Sequence, residues 1–298
     1  ILTLELYSGT FNKYLFFKRE QFLYEVTKFT IMTKNLVFIA FLLSLSILSS
    51  CISNFEMGEE AFANKNYEEA LKHFEAAAKL EPHNYNIYYN RGRCHEELEN
   101  YTKATTFYSK SLRSNKKFLE GYLGRARCSM NLESYDGAMV DANNILELDK
   151  DHFEGNSIKA KCYYQDMQYG EAVHYFNQAI KINPDHLNSY YHRGVSRASF
   201  GDQLGALNDL NHFIRSKNDF SQAYYNRGVV LQQIKNFALA KNDFTKAISL
   251  NLKTAEVYYK RGICFYEVGD QRAACNDFKI LAEFNKKTSI KAIKKYCK

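Results

Sequence analysis

Residues 221–254 read SQAYYNRGVVLQQIKNFALAKNDFTKAISLNLKT, and residues 255–288 read AEVYYKRGICFYEVGDQRAACNDFKILAEFNKKT. Tyr-Tyr, Arg-Gly and Asn-Asp-Phe stand at the same places in both stretches. The same spacing extends back to residue 51, because a small residue recurs every 34 positions: Gly58, Gly92, Ala126, Ala160, Gly194, Gly228 and Gly262. An alanine follows each of them twelve residues later, from Ala70 to Ala274. The chain therefore contains seven repeats in unbroken phase.

Each repeat carries two apolar stripes with helical spacing. If Cys51 and each 34th residue after it are first positions, positions 4, 8 and 11 form one stripe, and positions 20, 24 and 27 form a second. Small residues at positions 8 and 20 allow two helices to approach closely, and large aromatic residues at positions 4 and 24 fill the space beside them. A single hairpin cannot bury both stripes, so neighbouring repeats must stack. The pattern predicts an all-α fold.

This arrangement resembles the tetratricopeptide repeat over residues 51–288. The resemblance implies a right-handed superhelical solenoid of about seven helix-turn-helix units that binds proteins on its concave face. The repeats would span 51–84, 85–118, 119–152, 153–186, 187–220, 221–254 and 255–288, with a basic capping helix in 289–298. Asn54, Ala142 and Asn156 depart from the family pattern, which expects aromatic residues there.

The amino end has the layout of a secretory signal. Residues 32–50 combine a charged start, an apolar run from Leu36 to Leu48 and small residues before Cys51. Leu48–Cys51 resembles a bacterial lipobox, which implies a lipid on the Cys51 sulfur, a place in the cell envelope outside the cytoplasm, and a preference for the outer membrane. An uncleaved anchor is the alternative. Residues 1–31 are interpreted as an over-extended start before Met32.

The cysteines fall into two further groups. Cys94, Cys128, Cys162 and Cys264 all occupy repeat position 10 and are predicted to be buried thiols. Cys275 and Cys297 fit no repeat position, and an exported protein meets oxidising conditions. We expect a disulfide between them that attaches the cap to the last repeat; the alternative is two unpaired thiols.

Position 7 carries a basic residue in repeats 2 to 7, and four of these repeats have an aspartate at position 23. An Arg–Asp pair within each repeat is predicted from this coincidence. Anion binding is the alternative, for Arg91 above all and then for Arg193, taken to lie opposite Tyr175.

The resemblance also implies that the first helix of each repeat lines a binding groove. The candidate groove residues are Tyr89, Arg93, Arg127, Lys161, Tyr191, Tyr225 and Tyr259. The groove would be basic toward repeats 2–4 and more apolar toward repeats 5–7, and would suit a peptide with one acidic and one apolar end. Tyrosine and arginine are enriched at binding hot spots, although these residues could equally form ordinary solvated helix faces.

Composition argues against other classes of function. The net charge of +7 is thinly spread, so no dense basic face for nucleic acid is expected. No spacing of His, Cys, Asp or Glu suggests a metal, cofactor or catalytic site. The predicted function is a membrane-anchored scaffold for proteins or peptides; the alternative is a structural or accessory subunit of an envelope complex or enzyme assembly.

Overall fold

A computed structural model describes residues 54–297. The predicted signal segment, residues 1–31 and Cys51 lie outside the described residues. The chain divides into two compact units, one ending at Leu98 and the other beginning at Glu99. Within residues 54–297 there is no β-strand, and the all-helical fold predicted from the repeat pattern is confirmed.

The first unit contains a helix at residues 54–63 (α1), followed by α2 (Tyr67–Leu80) and α3 (Tyr85–Glu97). Its core is formed by side chains from all three helices: Ala61, Ala70, Phe74, Ala77, Ile87 and Cys94. Helices α1 and α2 approach closely because position 8 is glycine. A Cβ atom on Gly58 would lie 2.7 Å from the ring of Phe74.

The second unit contains the remaining helices: α4 (Tyr101–Ser114), α5 (Leu119–Asn131), α6 (Tyr135–Leu148), α7 (Phe153–Gln165), α8 (Tyr169–Ile182), α9 (Leu187–Phe200), α10 (Gln203–Ser216), α11 (Ser221–Gln233), α12 (Phe237–Ser249), α13 (Ala255–Glu267), α14 (Gln271–Ile280) and α15 (Lys286–Tyr296). A 3₁₀ turn, Leu281–Glu283, separates the last two. Each helix packs on the next, and α5, α7, α9, α11 and α13 also contact one another in sequence. We call the surface of these five the odd-helix face.

The helix boundaries follow the repeat period. Helices α3, α5, α7, α9, α11 and α13 begin at the six residues taken as first positions of repeats 2 to 7, from Tyr85 to Ala255. The position-20 alanines of α2, α4, α6, α8, α10, α12 and α14 are completely buried. Because a larger side chain at position 8 or position 20 would collide with the facing helix, the small residues there set the distance between the two helices of a repeat.

The turn within each repeat has one recurring backbone feature. Position 15 adopts a left-handed conformation in all seven repeats: Lys65, Glu99, Glu133, Met167, Gly201, Lys235 and Gly269 have φ between 55° and 99°. Only two of these residues are glycine, the residue that adopts this conformation without steric cost. The tight turn is therefore imposed by packing of the flanking helices more than by local sequence.

The carboxyl end closes the last repeat. Helix α15 begins three residues before the predicted cap and packs on α14, where the Ser289 hydroxyl donates to the Phe278 carbonyl at 2.6 Å. Tyr296 lies against the Phe278 ring at a centroid distance of 5.4 Å. In the structure Cys275 and Cys297 form a disulfide, with their Cα atoms 5.7 Å apart. In residues 54–297, no helix has the length and apolar character required to cross a membrane.

Candidate functional site

Four arginines on the odd-numbered helices are fixed by buried aspartates. In Arg125–Asp141, Arg193–Asp209, Arg227–Asp243 and Arg261–Asp277, Nε and Nη2 donate to the two carboxylate oxygens at 2.6–2.9 Å. These bidentate pairs confirm the predicted Arg–Asp pairing within repeats. The alternative anion-binding role for Arg193 is wrong, because Asp209 occupies its guanidinium. Tyr175 instead lies under the amine of Lys159, at 4.5 Å. The suggestion for Arg91 stays a prediction.

The same arginines also connect neighbouring repeats. The Nη1 atom of each donates to a polar side chain sixteen residues earlier, on the preceding even-numbered helix: Ser109, Asn177, Asn211 and Thr245, at 2.8–3.4 Å. Lys159 takes the arginine's place on α7, and within the described chain its amine makes no hydrogen bond. Helices α5, α9, α11 and α13 are therefore held by polar contacts to the even-numbered helices on both sides, and α7 is not.

Three tyrosines form a row on the odd-helix face. Tyr191, Tyr225 and Tyr259 occupy the same repeat position on α9, α11 and α13, and all three are half-buried. Their rings lie against Phe213, Phe244 and Phe278 of the following helices, with centroids 5.1, 5.9 and 6.1 Å apart. This packing limits the rotamers that the tyrosines can adopt, so little side-chain entropy remains to be lost on binding.

Two hydroxyl groups of this tyrosine row, those of Tyr191 and Tyr225, have a polar side chain beside them. Asn226 Nδ2 donates to the Tyr191 hydroxyl at 2.9 Å, and the Glu256 carboxylate acts by its charge on the Tyr225 hydroxyl. Burial raises the pKa of Tyr191 to about 12, and burial together with Glu256 raises the pKa of Tyr225. Both groups therefore stay neutral at physiological pH and act as hydrogen-bonding groups rather than as acids or bases.

A basic cluster precedes the tyrosine row on the same face. Lys161 on α7 is half-buried, and its charge acts on His186, just before α9, and on His192 within α9. Burial, with a smaller contribution from Lys161, lowers the pKa of His192 to about 4; burial also lowers the pKa of Lys161. The His192 ring stacks on Phe176 at a centroid distance of 5.9 Å. At neutral pH the cluster therefore holds one ammonium and two neutral imidazoles.

The remaining predicted groove residues have different surroundings. In the first unit, the Arg93 guanidinium lies over the Phe62 ring at 4.0 Å and donates to Asn90 Oδ1 at 3.0 Å, with Tyr89 beside it. In the second unit, Arg127 is half-buried on α5, which contacts α7. Among the seven predicted residues, five thus share the odd-helix face of the second unit: Arg127, Lys161, Tyr191, Tyr225 and Tyr259.

Two residues of this surface were not anticipated from the sequence. His186 precedes α9 and caps it, because its Nδ1 atom accepts from the Ser189 backbone N–H at 3.3 Å. Glu256 lies in the first turn of α13 and also pairs with Lys260 at 3.6 Å. Both residues lie at the start of an odd-numbered helix, and this position in the repeat is the sequence feature from which they could have been predicted. Glu256 also makes the face less apolar toward repeat 7 than predicted.

The position-10 cysteines belong to the core. All four are buried, as predicted. Burial raises the pKa of Cys94, Cys162 and Cys264 to about 12, 11 and 12, so these three remain thiols at neutral pH. Across the described residues, no group of three or more His, Cys, Asp or Glu side chains is arranged to hold a metal ion.

Comparisons with known proteins agree with this geometry. Tetratricopeptide repeat profiles match residues 55–117, 155–186 and 221–254. A search of curated proteins by sequence found no match.

Among solved structures, a tetratricopeptide repeat protein from Parabacteroides merdae is 20% identical, with a TM-score of 0.60, covering 84% of this chain and 100% of that one. The carboxyl-terminal part of a TPR repeat-containing protein from Cytophaga hutchinsonii is 17% identical, with a TM-score of 0.63, and the match covers 80% of this chain and 99% of that one. YrrB, described as a TPR protein with an unusual peptide-binding site, is 20% identical, with a TM-score of 0.53, and the match covers 59% of this chain and 91% of that one. The helix pairs, the buried small residues and these matches together establish that the chain contains tetratricopeptide repeats in an all-helical repeat fold.

Proposed function

We propose that this protein is a scaffold that binds extended peptide segments of other proteins along the odd-helix face of its second unit. The tyrosine row carries this proposal. Tyr191, Tyr225 and Tyr259 recur every 34 residues with their rings packed against Phe213, Phe244 and Phe278, and the Tyr191 hydroxyl is oriented by Asn226. Such residues supply contact area at low entropic cost, which is the property of binding hot spots. Tetratricopeptide repeats typically serve in protein–protein interaction.

We further propose that this scaffold lies in the cell envelope. The signal-like residues 32–50 and the lipobox resemblance at Cys51 support attachment through an amino-terminal lipid, with the body outside the cytoplasm and the outer membrane as the favoured site. Because the first repeat would begin at Cys51 itself, it would lie at the membrane surface. Mass spectrometry of the mature protein tests this part, and a peptide spanning residues 45–55 would contradict cleavage and lipidation.

Site-specific photo-cross-linking tests the binding surface. A photoreactive phenylalanine analogue replaces Tyr225 in one variant and Val140 in the control, because Val140 is 57% exposed on α6, away from the tyrosine row. We expect discrete cross-linked proteins from position 225 and few from position 140. Equal cross-linking at both positions, or cross-linking at 140 alone, would place the partner elsewhere.

A second candidate role is a structural or accessory subunit of an envelope complex or enzyme assembly. Large apolar side chains outside the tyrosine row favour it: Phe200, Leu204 and Leu239 are 62%, 77% and 51% exposed around the turns of repeats 5 and 6. Exposed apolar groups at neighbouring turns are a feature of permanent contacts. The cross-linking experiment distinguishes this role, because a photoreactive group at Leu204 would then give the dominant product.

A further inference from the structure

The net charge of the chain is concentrated at its carboxyl end. Residues 271–298 contain eight basic and two acidic residues and so carry +6 of the total of +7, whereas residues 54–270 contain 27 basic and 28 acidic residues. The expectation of a thinly spread charge is therefore wrong for this end of the protein. Of its two acids, Asp277 is buried and paired with Arg261, which leaves Glu283 as the exposed acid of residues 271–297.

Helix α15 presents most of this charge on one side. Six of its residues are exposed, and they form two adjacent rows with a spacing of four: Lys286, Ile290 and Lys294 in one, and Lys287, Lys291 and Lys295 in the other. Residues four apart lie one above the other on a helix, so the two rows make one continuous surface, which we call the lysine face. Within residues 54–297, none of its five lysines forms an ion pair.

The lysine face has an apolar centre. Ile290 is 57% exposed and lies one turn from both Lys286 and Lys294. Phe284, just before α15, is 48% exposed. This combination suits a bilayer that contains anionic lipids, because lysines then meet the phosphates while apolar side chains enter the boundary between headgroups and acyl chains. A nucleic acid would also attract the lysines, but its backbone offers no apolar layer to Ile290.

Helix α15 is already held in the orientation that exposes the lysine face. On its inner side, Ser289 bonds to the Phe278 carbonyl and Tyr296 packs on the Phe278 ring. The disulfide between Cys275 and Cys297 fixes its carboxyl end to α14. A segment that folds only on binding must lose conformational entropy at that moment. A helix that is fixed beforehand avoids this cost, so even a helix of 11 residues can contribute to binding.

We propose that the lysine face of α15 is a peripheral membrane-binding surface, which takes the phosphate headgroups of anionic phospholipids and inserts Ile290 among them. Each lysine near such a surface strengthens binding about fivefold, the equivalent of about 1 kcal/mol. The surface lies on a different helix from the tyrosine row, and it requires neither peptide binding nor a lipid on Cys51. It gives the chain a contact with a bilayer at the end of the sequence opposite to the predicted anchor.

Vesicle flotation tests this surface in the full chain. The chain carries the apolar run from Leu36 to Leu48, so it is first reconstituted in nanodiscs of phosphatidylcholine. Vesicles of phosphatidylcholine, alone or mixed equally with phosphatidylglycerol, are then added, and dissociation constants are measured. The variants are Lys291→Gln/Lys294→Gln and Ile290→Ser. The matched control is Lys235→Gln/Lys253→Gln, which removes the same charge from two exposed lysines of repeat 6.

We expect the unaltered protein to bind the phosphatidylglycerol vesicles more tightly than the neutral ones, and less so as salt is added. The Lys291/Lys294 variant should bind them about 25 times more weakly, at about fivefold per lysine. Ile290→Ser should weaken binding about fivefold, because roughly half of the isoleucine remains to be buried. The control should bind like the unaltered protein.

Equal binding to the two kinds of vesicle would overturn the proposal, as would an equal loss in the control. Duplex DNA added in place of vesicles provides the remaining arm. If it binds as tightly as the phosphatidylglycerol vesicles, and if Ile290→Ser weakens neither interaction, the surface recognises nucleic-acid phosphate and the membrane assignment is wrong. None of these outcomes bears on the peptide-binding scaffold, because the tyrosine row is unaltered in every variant.

Discussion

Replacing either member of the Arg227–Asp243 pair should cost more than replacing both. Asp243 accepts from Arg227 Nε and Nη2 at 2.8 and 2.7 Å, and the two side chains are only 8% and 22% exposed. Removing one partner of a buried pair leaves a charge that cannot be fully rehydrated, at a cost of about 3–5 kcal/mol. The partial exposure of Arg227 puts the expected loss at the lower end, about 3 kcal/mol for Arg227→Met or Asp243→Leu.

The double variant Arg227→Met/Asp243→Leu removes both charges and fills the space with apolar atoms. Its free energy of unfolding should lie within about 1 kcal/mol of the unaltered protein. Urea is the suitable denaturant, because guanidinium would screen the ion pair. Amide hydrogen exchange in α11 and α12 should be followed beside circular dichroism, since repeat proteins open locally. If the losses of the two single variants simply add in the double variant, the pair is not energetically coupled and the reasoning fails.

Three further predictions concern packing, pH and thiol reactivity. Gly262→Ala should reduce the free energy of unfolding by about 1–3 kcal/mol, because the new Cβ would lie 2.6 Å from the Phe278 ring. Gly137→Ala should be tolerated, because its Cβ would meet only side-chain atoms of Ser134 and Ser129, the nearest at 3.1 Å; equal losses in the two variants would contradict the packing argument. As the pH falls below 6.5, His192 becomes protonated in the unfolded chain before it does in the folded protein, so the free energy of unfolding should fall by up to about 3 kcal/mol toward pH 4. Urea unfolding between pH 7 and pH 4 measures this fall. If His192→Gln shows the same dependence of the free energy of unfolding on pH, the assignment to His192 is refuted. Cys264 should resist iodoacetamide at pH 8 until the protein is unfolded, because burial raises its pKa to about 12; peptide mass spectrometry that detects modification of the folded protein would contradict its burial.

The helices could be predicted from the sequence because their cause is local and repeated. Spacing of small and aromatic residues gave the starts of six helices, from Tyr85 to Ala255, and the coincidence of arginine at position 7 with aspartate at position 23 gave the ion pairs. Both relations lie within one repeat, where a fixed number of residues corresponds to a fixed geometry. The error over Arg193 came from matching it with Tyr175, which belongs to the preceding repeat.

Relations between repeats were harder to predict. The bonds from the arginines to polar side chains sixteen residues earlier were missed, although Ser109, Asn177, Asn211 and Thr245 recur in phase. A serine, an asparagine and a threonine do not look alike in a pattern, and they are equivalent only as hydrogen-bond acceptors. The basic cluster was harder still. Lys161 was predicted as a groove residue, yet its association with His186 depends on how α9 is capped, which a periodic pattern does not reveal.

The left-handed residue in the turn of every helical hairpin lowers the free energy of unfolding wherever it is not glycine. In five repeats the turn passes through Lys, Glu or Met at φ between 55° and 62°. In this conformation a residue with a side chain costs roughly 1–2 kcal/mol more than glycine. Part of that difference is offset because glycine loses more backbone entropy on folding. Each such bend stores a little strain that the neighbouring helices must outweigh. Glycine at these positions would release it without altering the face that carries Lys161 and the tyrosines, so rigidity and recognition can be adjusted separately in this chain.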